Sequence, residues 1–321
     1  MLVGNYEITS MGNFVYRVRH YEDCSDKPIS ETLEIASQAC SITGISVDEL
    51  PREKILITVS GGRSSCFMAG WAKQYYDSAI YDVRFVFANT GQEMDETLEF
   101  MDEVDQYFKL NTAWVEACVW AGRIASTSEL VDYESATRSS RFDGPYLDVV
   151  KKYGVPNKAY PHCSRELKEN PIHHYVQKVI GWEKGTYHTA IGIRGDEPKR
   201  LNRNKNWQNK FYPLADHVPM TQQMIRDYWK SMTFDLGIED YQGNCAWCFK
   251  KCEKKLLTIM DNDPGIFEFP DMLEKEYGHV GGNKINGEYS KLPRTLYRNY
   301  TTVEKLTDKY LELEELPVFK K

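Results

Sequence analysis

Nowhere does the chain run to the roughly 18 uncharged apolar residues that a spanning helix needs. Its first residues, MLVGNYEITSMGNF, lack the basic-then-apolar order of a secretory leader. The expectation is a soluble, cytoplasmic protein with no membrane partner. Internal repeats and low-complexity tracts are missing too, which excludes solenoids and disordered arrays. There is no excess of positive charge: the formal net charge of -7 gives no overall attraction to nucleic acid and leaves room only for a local basic patch. Two phosphate-binding signatures are also absent, Gly-x-x-x-x-Gly-Lys-Ser/Thr and Gly-x-Gly-x-x-Gly, which excludes the kinase-type phosphate loop and the dinucleotide fingerprint.

What is present is the make-up of an ordinary globular protein, 41% hydrophobic and 27% charged over 321 residues, enough for one large core or two. Residues 1–50 are weakly periodic, with a helix expected over ISETLEIASQA and a break before Pro51. From Lys54, short apolar runs alternate with longer amphipathic ones: ILITV, a helix from about 64 to 77, VRFVFANT, a helix over DETLEFMDEVDQYF, and TAWVEACV. Strands this apolar, separated by helices, are covered on both faces, so the fold class expected is α/β with a doubly wound, mostly parallel sheet. Residues 120–160, rich in Ser, Arg, Asp, Gly and Tyr without a sustained period, read as an insertion or lid over the site. A helix over SRELKENPIHHYVQKVIGW is expected to break or restart at Pro171, and TYHTAIGIRGDEPKR reads as an apolar strand opening into a charged loop. The division that follows is an N-terminal extension over 1–50, a nucleotide-binding domain over 51–215, and a helical region over 216–321 that carries a cysteine cluster.

The stretch VSGGRSS, residues 59–65, joins the first apolar strand to its helix. In an open parallel sheet, ligands bind beyond the carboxyl ends of the strands, where such a turn offers backbone N–H groups and the positive end of a helix dipole. Gly61 and Gly62 suit a tight turn that no side chain obstructs, and the hydroxyls of Ser60, Ser64 and Ser65 can donate to phosphate oxygens. The pattern predicts an anion cradle, although by itself it also describes a tight turn with serine caps. A second stretch, GIRGDEPKR, sets Arg194 at the end of an apolar strand, so that Arg194 and Arg200 can offset charge developing on phosphorus. The competing description of Arg194, Asp196, Glu197 and Arg200 is a solvated turn with mutual ion pairs.

Eight cysteines without a secretory leader argue for reduced thiols or metal ligands rather than a disulfide framework. Cys24, Cys40, Cys66 and Cys118 are dispersed and read as ordinary thiols. GNCAWCFKKCEKK, in contrast, sets Cys245, Cys248 and Cys252 within eight residues, and Cys163 in PHCSRELK is the candidate fourth ligand. Four thiolates so spaced would serve a structural zinc or an iron–sulfur cluster; His162 or His279 in place of one would favour zinc. Lys250, Lys251, Lys254 and Lys255 read as a solvated helix face or as contacts to nucleic acid or nucleotide.

Ser60-Gly61-Gly62-Arg63-Ser64-Ser65 resembles the phosphate loop of the N-type ATP pyrophosphatases and of the phosphoadenosine phosphosulfate reductase family. Members share an α/β domain of the adenine nucleotide alpha hydrolase type that grips a pyrophosphate or phosphosulfate group. FANTGQE, residues 87–93, resembles the loop that the family places beside the nucleotide, which implies that Asn89, Thr90, Gly91 and Glu93 line the site, with Asn89 and Glu93 positioning nucleotide or magnesium. GIRGDEPKR is similar to the family's Gly-Ile-Arg-x-Asp-Glu segment, bringing Gly192, Arg194, Asp196, Glu197 and Arg200 to the phosphates. HCSRELK resembles its cysteine-led helix start, with Arg165 and Lys168 as further cations. Together these stretches span the chain from Lys54 to Met260.

The resemblance implies an enzyme that uses ATP, or phosphoadenylyl sulfate, with magnesium. It favours a [4Fe-4S] cluster over zinc on the cysteines, and a nucleic-acid acceptor or a sulfur donor protein as partner. The chain departs from the family in two places. No cysteine follows Cys252, where the reductases carry their nucleophile in a C-terminal Glu-Cys-Gly segment, and Ser64 stands where the pyrophosphatases usually carry Asp. The expected reaction is cleavage of ATP to AMP and pyrophosphate, activating an acceptor for sulfur transfer, with Arg194, Arg200 and Glu93 in catalytic roles. Sulfonucleotide reduction, and nucleotide binding without turnover beside a structural zinc, are the alternatives.

Overall fold

The computed structural model describes residues 1–3, 5–10, 15–21, 28–44, 46, 49–76, 80–202, 209–285 and 288–314. The chain opens with an antiparallel sheet of four strands in sequential order, Leu2–Val3 (β1), Tyr6–Ser10 (β2), Val15–Tyr21 (β3) and Pro28–Ile35 (β4), followed by helix Ala36–Thr43 (α1). Ile8, Val18, Ala39 and Leu50 make its small core. The helix expected over ISETLEIASQA is therefore a strand as far as Ile35 and becomes helical only at Ala36. The cause is tertiary. The segment ladders along the whole of β3, and the Glu31 carboxylate pairs across the strands with Arg17 at 3.3 Å and Arg19 at 2.6 Å, so cross-strand partners outweigh local propensity.

The central sheet has six strands: Glu53–Val59 (β5), Tyr81–Ala88 (β6), Ala113–Cys118 (β7), Thr127–Val131 (β8), His188–Ile191 (β9) and Lys210–Phe211 (β10). Their order is β10-β9-β5-β6-β7-β8, every pair parallel except the antiparallel edge pair β7–β8. Arg63–Tyr75 (α2) joins β5 to β6 and Asp95–Phe108 (α3) joins β6 to β7. Asp95 and Glu96 in the first turn of α3 favour the positive end of its dipole. Ile55, Ile57 and Val59 of β5 point into a core shared with α2 and α3, whereas Leu56, between them, packs with Val176, Trp182 and Tyr187 on the opposite face. Both faces of one strand are thus covered, which is the doubly wound α/β arrangement that the apolar runs predict.

Between β8 and β9 run Pro145–Tyr153 (α4) and a long helix, α5, built from His162–Ser164, Arg165–Glu169, Asn170–Tyr175 and Val176–Ile180. The break expected at Pro171 does not occur. The turns before and after it widen to π-type hydrogen bonding, with the Asn170 N–H donating to the Arg165 carbonyl, and the chain passes a residue that has no N–H without leaving the helix. Residues 120–160 are also not a lid: none of them lines the cavity described below. Tyr146, Leu147, Val149 and Val150 of α4 instead enter a second core with Trp247, Leu256, Ile259, Phe269 and Leu306. Pro213–Asp216 (α6) and Gln222–Lys230 (α7) add Leu214, Ile225 and Trp229 to the first core, while beyond the cysteine cluster Glu253–Asn262 (α8), Glu268–Tyr277 (α9) and Val303–Glu314 (α10) close the second; the hairpin Asn283–Ile285 (β11) and Glu288–Ser290 (β12) lies between α9 and α10 in the chain. Among the described residues no helix is long and apolar enough to cross a membrane.

Candidate functional site

Strand β5 leads through α2 to β6 on one side, while β9 pairs with its other side. The carboxyl ends of β5 and β9 therefore flank the point where strand order reverses, and no connection fills the crevice there. A cavity of about 1090 Å³ occupies it. Its walls carry eight lysine and arginine side chains against four carboxylates, in a chain whose net charge is -7. Low-dielectric walls focus such a local excess, so the cavity attracts anions although the protein as a whole does not.

The turn after β5 forms one end. Gly61 has φ +73°, and a Cβ on it would stand 2.5 Å from Thr97 Cγ2, so both conformation and space call for glycine. The Ser60 N–H donates to Ser65 Oγ at 3.1 Å, the Ser65 hydroxyl donates to the Gly62 carbonyl at 3.0 Å, and the Ser60 and Ser65 hydroxyls lie 3.0 Å apart. The two serines so linked hold the first turn of α2 open toward the cavity, which Ser60, Gly62, Arg63, Ser64 and Ser65 line. Arg63 is not loose: Asp235 clamps its guanidinium at 2.6 and 3.0 Å.

From the other side β9 delivers Gly192 and Arg194. A Cβ on Gly192 would come within 2.9 Å of Ser65 Cα, so the two backbones touch there. Arg194 Nη1 donates to Ser64 Oγ at 2.9 Å and Nε to Asp196 Oδ1 at 2.9 Å, with Glu197 at 3.4 Å. Glu197 also pairs with Arg200, and both line the cavity. Asp196 turns away from it. Its carboxyl accepts the Gln222 N–H at 2.8 Å, and that bond, with Arg194 beside it, holds Asp196 below the usual carboxylate range.

FANTGQE is positioned differently from the resemblance's implication. Asn89, Thr90 and Glu93 are buried, and neither they nor Gly91 line the cavity. Asn89 Nδ2 donates to Glu116 at 2.6 Å and to the Thr137 carbonyl at 2.9 Å. Glu93 accepts from the Thr90 N–H at 2.8 Å and hydroxyl at 2.6 Å. Its other oxygen meets Lys168 Nζ at 3.3 Å, and Lys168 does line the cavity. Burial works against the Lys168 charge, but the Glu93 carboxylate outweighs it and holds the ammonium above its ordinary value. Arg165 points elsewhere, to Glu166 at 2.7 Å and the face of Tyr153.

The cysteine-bearing loop abuts the turn. Asn244 Nδ2 donates to the Ser60 carbonyl, the Met94 N–H donates to the Asn244 carbonyl at 2.9 Å, and Cys245 bridges to Glu93. Cys163 and Cys245 pack against the second core beside Tyr146, whose phenol is pushed well above its ordinary value by burial and by the nearby thiols. Interaction between the paired Cys245 and Cys248 thiols draws Cys248 down and pushes Cys245 up. Cys252, exposed, begins α8. Among the described residues no three His, Cys, Asp or Glu side chains stand where they hold a metal ion. His162 is buried against the Gly154 carbonyl at 2.8 Å, with its ring pushed down to about 4, and His279 is exposed. Cys66 is buried, Cys40 and Cys118 are half-buried, and Cys24 lies outside the described residues.

Sequence patterns did not single out Asn244, Asp235, Arg226, Lys184 or the apolar wall of Ile172, Tyr187 and Ile238, which reach the site from distant segments. Of the four lysines after the cluster, Lys255 lines the cavity and Lys251 Nζ donates to the Cys245 carbonyl at 2.7 Å.

No family model matches the chain. An uncharacterized nin region protein of Escherichia phage lambda, ORF290, is 28% identical over 261 residues, which cover 80% of this chain and 85% of that protein. A phosphoadenylyl-sulfate (PAPS) reductase from Candida auris, in a phosphate complex, superposes over 61% of this chain and 76% of its own, with 11% identity and a TM-score of 0.33. A likeness of that size establishes no activity.

Proposed function

We propose that this chain is an adenine-nucleotide enzyme of the phosphoadenosine phosphosulfate reductase and ATP pyrophosphatase kind, which grips a pyrophosphate or phosphosulfate tail and breaks it. The observation that carries the reading is the cation-rich cavity at the switch point, where the Ser60–Ser65 turn, Gly192 and Arg194 meet. The N–H groups of the α2 first turn and the Ser64 hydroxyl would hold the tail, Arg194 and Arg200 would neutralise its charge, and the apolar wall of Ile172, Tyr187 and Ile191 would take the base.

Two reactions follow from that pose. In the first, ATP is cleaved between its α and β phosphates and an acceptor is adenylated, so that sulfur displaces AMP. In the second, a sulfonucleotide loses sulfite to a thiol. One observation favours the second. Magnesium wants free oxygen ligands, yet among the groups the phosphate-binding motifs supply, Glu93 is buried and committed to Thr90 and Lys168, Glu197 is tied to two arginines, and Ser64 supplies no carboxylate, which leaves only Glu169, Glu239 and Asp240, outside those motifs, on the cavity wall. A phosphosulfate tail is satisfied by cations and N–H groups.

Calorimetric titration of anaerobically purified protein with ATP and with phosphoadenylyl sulfate, with and without magnesium, tests this, followed by product analysis. The expected result is magnesium-independent binding of phosphoadenylyl sulfate, and sulfite on addition of a dithiol. Binding of neither nucleotide sinks the reading; tight ATP binding only with magnesium, yielding AMP and pyrophosphate, returns it to the first reaction.

A further inference from the structure

The loop GNCAWC lies directly behind the phosphate turn, and its two cysteines are built as a pair. The Cys248 N–H donates to the Cys245 carbonyl at 3.4 Å, closing a turn that keeps the two α-carbons within the span a disulfide bridges, about 4.4–6.8 Å. Both ends of the turn are held. Trp247 is buried, with its indole N–H donating to Gln92 at 2.9 Å, and Lys251 Nζ grips the Cys245 carbonyl. No third ligating side chain among the described residues stands with them in an arrangement that holds a metal.

We propose that Cys245 and Cys248 are a dithiol–disulfide couple whose state is felt by the phosphate cradle. Two links make the coupling: Asn244, next to Cys245, caps the Ser60 carbonyl, and Cys245 bridges to Glu93, which holds Lys168 in the cavity. Oxidation is thiol–disulfide exchange with a small-molecule or protein disulfide. One cysteine thiolate attacks it and expels a thiol, then the second cysteine attacks the mixed disulfide and expels the other, so two electrons and two protons pass to the reagent. The two sulfurs then close to a covalent bond of about 2.0 Å, drawing Cys245 inward and Asn244 away from Ser60. The reduced state is the one that holds the cradle shut on an anion. This coupling rests on the anion-cradle reading; the disulfide itself does not.

The test equilibrates the full chain in buffers of reduced and oxidised dithiothreitol, alkylates free thiols and maps the peptides. Calorimetry with inorganic pyrophosphate is run on both forms, and metal is measured on the same sample. Expected are a single Cys245–Cys248 bridge with the mass of two hydrogens lost, Cys163 and Cys252 alkylated, and pyrophosphate affinity lower in the oxidised form by about fivefold or more. A Cys252→Ser variant behaves the same. A bridge to Cys163, no bridge at any poise, or stoichiometric zinc or iron protecting three or four thiols overturns the couple. Equal pyrophosphate affinity in the two forms overturns the coupling. Absence of pyrophosphate binding in the reduced form removes the cradle and the coupling with it, while the peptide map still decides the disulfide.

Discussion

Replacing Gly192 by alanine adds one methyl group at the contact on which the cradle depends. That methyl would lie 2.9 Å from Ser65 Cα, 3.2 Å from its N and 3.3 Å from its Cβ, mostly backbone atoms that cannot rotate aside. Either the end of β9 or the first turn of α2 must withdraw. Ser65 carries the bonds to the Ser60 N–H and the Gly62 carbonyl, so its displacement moves the whole turn, and Arg194, two residues beyond Gly192, loses register with Ser64. Overpacking of this kind costs about 1–3 kcal/mol. An equal loss in anion binding is about tenfold or more in affinity, at about 1.4 kcal/mol per decade. Gly195→Ala is the control on the same loop: its nearest neighbours lie at 3.9 Å, and the expected change is within about 0.5 kcal/mol. Urea denaturation and calorimetric pyrophosphate titration of both variants are the assays. A Gly192→Ala protein with wild-type stability and affinity would refute the claim that the strand end and the helix start are pressed together.

Arg194→Gln removes the cation that donates to Ser64 at 2.9 Å; a charged hydrogen bond is worth about 1.5–3 kcal/mol, so nucleotide affinity should fall about tenfold or more by calorimetry while the denaturation midpoint changes little. Ser65→Ala leaves the Ser60 N–H without its 3.1 Å acceptor and should cost about 1 kcal/mol of stability and weaken pyrophosphate binding, through the turn alone. Burial pushes the Glu274 carboxyl from 4.5 up to about 7, although it accepts the Leu296 and Val303 N–H groups at 2.7 Å each. The folded state then holds a proton that the unfolded chain has released, so this group's stabilisation is present at low pH and is lost as pH rises from about 4.5 to about 7. The stability deficit of Glu274→Gln, measured by denaturation across that range, should shrink as pH rises; a constant deficit would refute the assignment.

Much of the central sheet was legible because burial on both faces leaves an unmistakable mark. ILITV, VRFVFANT and TAWVEACV have no polar face, and DETLEFMDEVDQYF matches α3 residue for residue. Failures came where a distant partner decided the outcome. ISETLEIASQA has helical neighbours in its own sequence but meets β3 along its length, and Pro171 sits in a helix whose flanking turns could widen. Residues 120–160 show no sustained period because they divide their burial: Thr127–Val131 joins the edge of the central sheet, Ala136 packs in the first core, and the stretch 146–155 packs in the second.

The site divides along the same line. Gly61 and Gly62 after an apolar strand, Arg194 after another, and three cysteines within eight residues are local facts, since a tight turn, a strand end and a thiol cluster each need only neighbours in the chain. Which of these groups face one cavity is not local. That Glu93 is sealed beneath Thr90 while Lys168 reaches the cavity, that Asp235 holds Arg63, and that Asn244 ties the cysteine loop to Ser60 all depend on contacts between segments as many as 184 residues apart. Such contacts are set by packing of the whole domain, and no periodicity records them.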